Sequence, residues 1–188
     1  MTHASTKWFC LTILAALVLA SSGAAAGDKV QFKIVVTNNG KPATADYQLV
    51  TQASTPEIVS KGSVKGNAVI KVPPDSYKLR VTLTEAVDKA VETQDNVSVP
   101  SSGDGKVEIK FTTGTITLVI YKGGQKKTCK IKLRRPGGGE WLPAVQSGKA
   151  ITLSPGEYEA EIIISNVSHT VHGLFVQAGG TQNIPVQL

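Results

Sequence analysis

From residue 27 onward, short runs of alternating apolar and polar residues recur, cut by Gly, Pro, Asn or Ser at intervals of about ten residues. Alternation of period two puts one side of a strand in a core and the other in water. Regularly spaced turn signals between such runs point to an antiparallel sandwich. The second half carries the pattern most cleanly and predicts strands near 115–121, 126–134, 141–146, 149–153, 157–164, 169–176 and 181–188. One stretch, 84–94, departs from it, since Ala86, Val87, Ala90 and Val91 fall at helical spacing. Its counterpart in the second half alternates, so a hairpin is predicted there as well. The expected fold class is all-β.

The pattern is also duplicated. The segment 34–40 reads IVVTNNG and 118–124 reads LVIYKGG, each an apolar strand running into a glycine turn. Val72, Pro73, Pro74, Asp75, Ser76 and Tyr77 line up with Leu153, Ser154, Pro155, Gly156, Glu157 and Tyr158, a proline turn feeding a strand through tyrosine. The runs 107–111 and 184–188 close the two halves. Three landmarks in one order predict two tandem modules, 27–111 and 114–188. They are joined by Thr112 and Thr113, too short a linker for independent tumbling.

Ahead of the modules, Lys7 precedes thirteen mostly apolar residues, Trp8 to Ala20, and a small-residue stretch ending Ala24, Ala25, Ala26. That is the form of a secretory signal peptide over 1–26, with cleavage after Ala26 and no membrane anchor afterwards. An apolar run of this length falls short of the ~20 residues a membrane span requires. The expected destination is the periplasm or the medium. Cys10 leaves with the leader, and Cys129 remains as the mature chain's one thiol.

Composition narrows the chemistry. Hydrophobic residues are 41% and charged residues 18%, enough of the first to fold and too little of the second for disorder. Aromatics at 5% argue for small pleated cores rather than a deep aromatic pocket, and no cofactor is expected. Gly137, Gly138 and Gly139 are not followed by the residues of a phosphate loop. His169 and His172, three apart, point to opposite sides of a strand, which does not favour a shared metal. Cys129 falls on the apolar side of its strand with Ile131 and Leu133, where a thiol behaves as a small hydrophobe. The second half holds no aspartate, so no catalytic triad lies within it. No catalytic or metal-binding residue is assigned, and the chain is read as a non-enzyme.

Charge is concentrated. Seven of the second half's eight basic residues lie between Lys122 and Arg135. In the predicted strand 126–134 they form a stripe of Lys130, Lys132 and Arg134. The adjacent fifth strand of that half presents Glu159 and Glu161, and opposite charges on neighbouring strands stabilise register. The first half suggests the same pairing with signs reversed: Asp46 stands in for Lys130, and Lys78 and Arg80 for Glu159 and Glu161. Ligand contacts, if any, are expected at Lys126, Lys127, Arg134 and Arg135 at the strand ends, and at Trp141, the mature chain's only tryptophan. Trp and Arg dominate binding hot spots.

A first strand ending in NG or GG, a proline turn before a tyrosine-bearing strand, and Val176, Gln177, Ala178, Gly179, Gly180, Thr181 before a last strand together resemble the transthyretin-like (prealbumin-like) modules. These include carboxypeptidase regulatory-like domains and the repeats that accompany bacterial von Willebrand A proteins. The resemblance spans the mature chain and implies two tandem Ig-like or transthyretin-like sandwiches. Export and the lack of a catalytic constellation add a function class: a cell-envelope binding or structural accessory, with an envelope protein or surface polymer as partner. The alternative is an adhesin-like module that binds a glycan or an anionic lipid. Nucleic acid is not expected.

Overall fold

The computed structural model describes residues 28–188; the leader, its cleavage point and Cys10 lie outside the described residues. The described chain is all-β. Its first half forms β1 (Val30–Asn38), β2 (Lys41–Pro42), β3 (Thr44–Thr51), β4 (Ile58–Lys65), β5 (Asn67–Val72), β6 (Asp75–Leu83), β7 (Val91–Val99) and β8 (Gly105–Phe111). The second forms β9 (Gly114–Lys122), β10 (Gln125–Lys127), β11 (Lys130–Arg134), β12 (Val145–Gln146), β13 (Ala150–Leu153), β14 (Gly156–Ile164), β15 (Val167–Val176) and β16 (Thr181–Gln187).

Each half packs two layers. In the second, β10-β9-β13 with β16 faces β12-β11-β14-β15. The first half repeats these pairings, β1 standing for β9 and so on to β8 for β16, except that its layers join where Lys65 pairs with Asn67 around Gly66. Gly66 has φ +75°, and an added Cβ there would fall 2.9 Å from that of Pro42, so the corner requires glycine. Two hydrophobic clusters fill the layers. One is drawn from Phe32, Ile34, Leu49, Leu79 and their neighbours, the other from Ile116, Leu118, Ile131, Tyr158 and theirs.

The sheets are antiparallel as expected, apart from their closing strands, and two strand assignments are corrected. The closing strands β8 and β16 run parallel to β1 and β9, because each arrives by crossing from the opposite layer and enters its sheet from the end where the first strand begins. The run 126–134 is two strands in different layers: β10 pairs with β9, and the chain crosses at Thr128 and Cys129 to join β14 as β11. Ser147 holds this crossing, its hydroxyl donating to the Lys127 carbonyl (3.1 Å) and accepting the Cys129 N–H (3.0 Å). Of 141–146, only Val145 and Gln146 form a strand. Pro143 has no N–H to give a ladder, and Gly137, Gly138 and Gly139 all lie at positive φ, which turns the chain away from β11.

Segment 84–90 is the loop of the β6–β7 hairpin, closed by the Leu83 N–H donating to the Ala90 carbonyl (2.8 Å). Its helical spacing of apolar residues has another cause. Ala86 is buried in the first cluster, while Val87 packs against the second. A single loop feeds two cores.

Candidate functional site at the junction of the halves

The two halves meet through strand ends. Asn38 and Asn39, where β1 turns into β2, grip the linker. Asn39 Nδ2 donates to the Thr113 carbonyl (3.1 Å), and Asn39 Oδ1 accepts the Thr113 N–H (3.2 Å). Asn38 bonds the Thr113 hydroxyl. From the other side the Gly179 N–H donates to the same Thr113 carbonyl (2.9 Å), and Thr113 is buried.

The hairpin loop makes the second contact. The Val87 N–H donates to the Thr152 carbonyl (2.9 Å). Next to it, Asp88 Oδ2 accepts the Ser154 N–H (3.0 Å) and lies 2.9 Å from the Tyr158 hydroxyl. Arg135 closes the assembly. Its guanidinium lies 4.1 Å over the Tyr158 ring, bonds the Pro155 carbonyl (3.1 Å) and comes within 3.9 Å of Asp88. Gly156, at φ +129°, leaves room for it, since an added Cβ would fall 2.4 Å from Arg135 Nη1.

Tyr77 and Tyr158 do the same local job in their halves, each hydroxyl meeting a carbonyl four residues upstream, of Pro73 at 2.8 Å and of Ser154 at 2.9 Å. Of the two, among the described residues, only Tyr158 has a hydroxyl partner from the other half. Burial, and then the Asp88 carboxylate, push its pKa well above the ordinary tyrosine value.

Beside this contact the loop after β11 frames an open cavity of about 320 Å³, lined by Asp88, Arg134, Arg135, Glu140, Leu142 and Tyr158. Among the described residues nothing hydrogen-bonds Asp88 Oδ1, which is buried there. Trp141 is half-buried, with the Arg134 guanidinium 4.3 Å over its ring. Arg134 also donates to Glu159 (2.9 Å), and His172 Nδ1 sits 3.0 Å from the other oxygen of that carboxylate. One row thus crosses the outer face of the sheet: Trp141, Arg134, Glu159, His172. A second runs beside it, Lys132 donating to Glu161 (3.0 Å) and the Ser168 hydroxyl donating to the same carboxylate (2.9 Å).

The cross-strand charge pairing expected in this half is therefore present, with Lys132 opposite Glu161 and Arg134 opposite Glu159 in register. The expected reversed copy in the first half is not made between the equivalent strands. Asp46 stands opposite Thr82 and accepts a hydrogen bond from Ser63, while Arg80 stands opposite Gln48. The inversion occurs one strand further on. Lys78 pairs with Asp95 (3.1 Å) where Glu159 pairs with His172, each beside a bulge built on a positive-φ residue, Asn96 and Gly173.

Of the candidate ligand residues, the structure gathers Arg134, Arg135 and Trp141 near the junction, with both arginines engaged internally. Lys126 and Lys127 lie on β10, in the other layer and at the far end. Cys129 is buried, and the two histidines face opposite sides, His169 opposite the core residue Ile162 and His172 outward on Glu159. Among the described residues, no three His, Cys, Asp or Glu side chains gather as metal ligands would. The sequence reading missed Asn38, Asn39 and Asp88. A signal existed, since NNG in the first repeat becomes KGG in the second.

These contacts set a pH profile. Arg134, then His172, hold Glu159 below the ordinary carboxylate value, and Lys132, then Ser168, do so for Glu161. Their contribution is complete above the unfolded carboxylate pKa, about 4.3, and is lost as pH falls below it. Tyr158 is shifted upward, so its contribution is complete below about pH 10 and is lost as pH rises beyond that. Urea midpoints from pH 3 to 11 are expected to fall at both extremes, and Tyr158→Phe to flatten the alkaline arm. An alkaline arm unchanged in that variant would contradict the assignment.

No family model matches the chain, and no curated protein does. Among solved structures it is similar to the shaft pilin spaA from Lactobacillus rhamnosus GG, at 11% identity over 85% of this chain and 98% of that one, TM-score 0.40. The tip fimbrial protein Mfa3 from Porphyromonas gingivalis is 9% identical over 77% of this chain and 81% of that one, TM-score 0.39. The Bacillus anthracis TIE protein is 15% identical over 86% of this chain, TM-score 0.37, and the chain spans 34% of that protein's length. These are remote likenesses.

Proposed function

We propose that the chain is an exported, non-enzymatic accessory of the cell surface, two transthyretin-like units held end to end as a stiff spacer that engages an envelope protein or surface polymer. The observation that carries this reading is the junction. A loop of one unit seats Val87 and Asp88 in the other, and the linker is gripped from both sides. Such contacts hold two units at one distance and angle, as a spacer requires and as two beads on a flexible tether do not.

Two measurements test it. Fractionation of the host with a tag after Leu188 is expected to find the protein outside the cytoplasmic membrane, shortened by the 26 leader residues. Full-length protein in the cytoplasm would overturn the reading. Small-angle scattering of the mature chain is expected to give one elongated particle about 60–70 Å long, since each unit is about as long as a nine-residue strand at about 3.3 Å per residue. A distribution of inter-unit distances would remove the spacer role. The adhesin-like alternative draws on a different feature, the lysines at the end of the second half remote from the junction.

A further inference from the structure

We propose that the end of the second half remote from the junction is a binding site for an acidic polysaccharide. The inference names the surface polymer allowed in the reading above and rests on it. Gly114 and Gly156, which begin β9 and β14, both lie against Val176 at the junction, so the far ends of these strands mark the other end of the unit. Lys122 ends β9, and β10 folds back on it with Lys126 opposite Tyr121 and Lys127 opposite Ile120. Lys130 begins β11 opposite Ile163, at the same end. Ser147, bonded to the Lys127 carbonyl, brings the turn that carries Lys149 alongside.

The basic run that is continuous in sequence is thus split by the length of β11. Its arginines arrive at the junction and are consumed there by Glu159, Asp88 and Tyr158. Lys132, midway along β11, is spent on Glu161, and Lys122, Lys126, Lys127 and Lys130 stay at the far end. Among the described residues none of Lys122, Lys126, Lys127, Lys130 and Lys149 forms an ion pair, and Lys127 bonds only the neutral Gln125. Glu140 and Glu157 lie toward the junction, and Glu161 is taken by Lys132.

Cations without ion-pair partners, Lys127 half-buried and the other four exposed, spread over several segments without an enclosing cavity and suit a long polyanion that sheds counterions on binding, not a single small anion. The turns here carry Gly123, Gly124, Ser147, Gly148, Ser165 and Asn166, with Val167 the large apolar side chain exposed nearby. A membrane-docking tip pairs its lysines with a set of apolar anchors, and one valine does not make such a set.

The test uses the mature chain, residues 27–188, titrated with heparin by fluorescence anisotropy at several salt concentrations. Binding is expected to weaken steeply with salt. Combining Lys122→Gln, Lys126→Gln, Lys127→Gln and Lys130→Gln is expected to weaken it about a hundredfold at low salt. The same number of neutralisations in the first half, at Lys61, Lys65, Lys71 and Lys110, is expected to change it less than about threefold. Circular dichroism and melting temperature verify that both variants fold. Equal losses in the two variants, or no binding by the parent at 150 mM salt, would overturn the site. Tighter binding to anionic vesicles or duplex DNA than to heparin would overturn the polysaccharide assignment. Cytoplasmic location in the fractionation defeats the surface reading whatever heparin does, whereas a failed titration in an exported protein defeats only this site.

Discussion

Gly114→Ala is expected to lower stability by about 3 kcal/mol, and the melting temperature by about 6–12 °C for a chain of this size. Gly114 opens β9, is buried, and lies where the second half folds back on its own start. An added Cβ would sit 2.2 Å from the Gln177 carbonyl oxygen and 2.6 Å from Val176 Cγ1. The oxygen is backbone, and its segment is held by the Gly179 N–H bond to Thr113 and the Gly180 carbonyl bond to the Thr115 N–H. Relief therefore means shifting the linker and the entry to β16 together. Thermal unfolding of the variant decides it. A loss below about 1 kcal/mol would mean that this contact yields easily. Gly123→Ala is the useful contrast, because that glycine faces open space and loses only its positive-φ preference, φ +59°.

Asp88→Ala is expected to cost about 2–3 kcal/mol and to loosen the two halves relative to each other. The substitution strands the Ser154 N–H, takes a partner from the Tyr158 hydroxyl, and leaves Arg135 without a carboxylate, held by two carbonyls and the Tyr158 ring. Buried donors left without acceptors carry their full desolvation cost. Tyr158→Phe keeps the ring in the core and beneath Arg135, so it is expected to cost only about 1 kcal/mol. Because the two side chains touch, the double variant is expected to lose less than the two single losses together, with a coupling of at least about 0.5 kcal/mol. Urea unfolding gives the energies, and scattering gives the geometry. If Asp88→Ala destabilised the protein yet left the scattering profile of a single rigid particle, the linker grip at Asn38 and Asn39 would be the element that fixes the angle.

The strand pattern, the tyrosine turns and the pairing of Lys132 with Glu161 and Arg134 with Glu159 were legible along the chain, because period-two alternation and turn chemistry are local. Burial of Cys129 was legible for the same reason. The division of the lysines from the arginines was not. A run of basic residues reads as one patch until the crossing at Thr128 and Cys129 sends its parts to different layers.

What the amino-acid order determined by itself was the all-β class, the duplicated set of landmarks and the side of each strand that turns inward. Which strands run parallel, which loop enters the other half, and whether a given cation is spent on a neighbour or left open to solvent were decided only in the folded chain. Those properties depend on residues such as Asp88 and Tyr158, 70 positions apart. No local preference of either residue encodes a contact that exists only once two cores have formed and their ends have met.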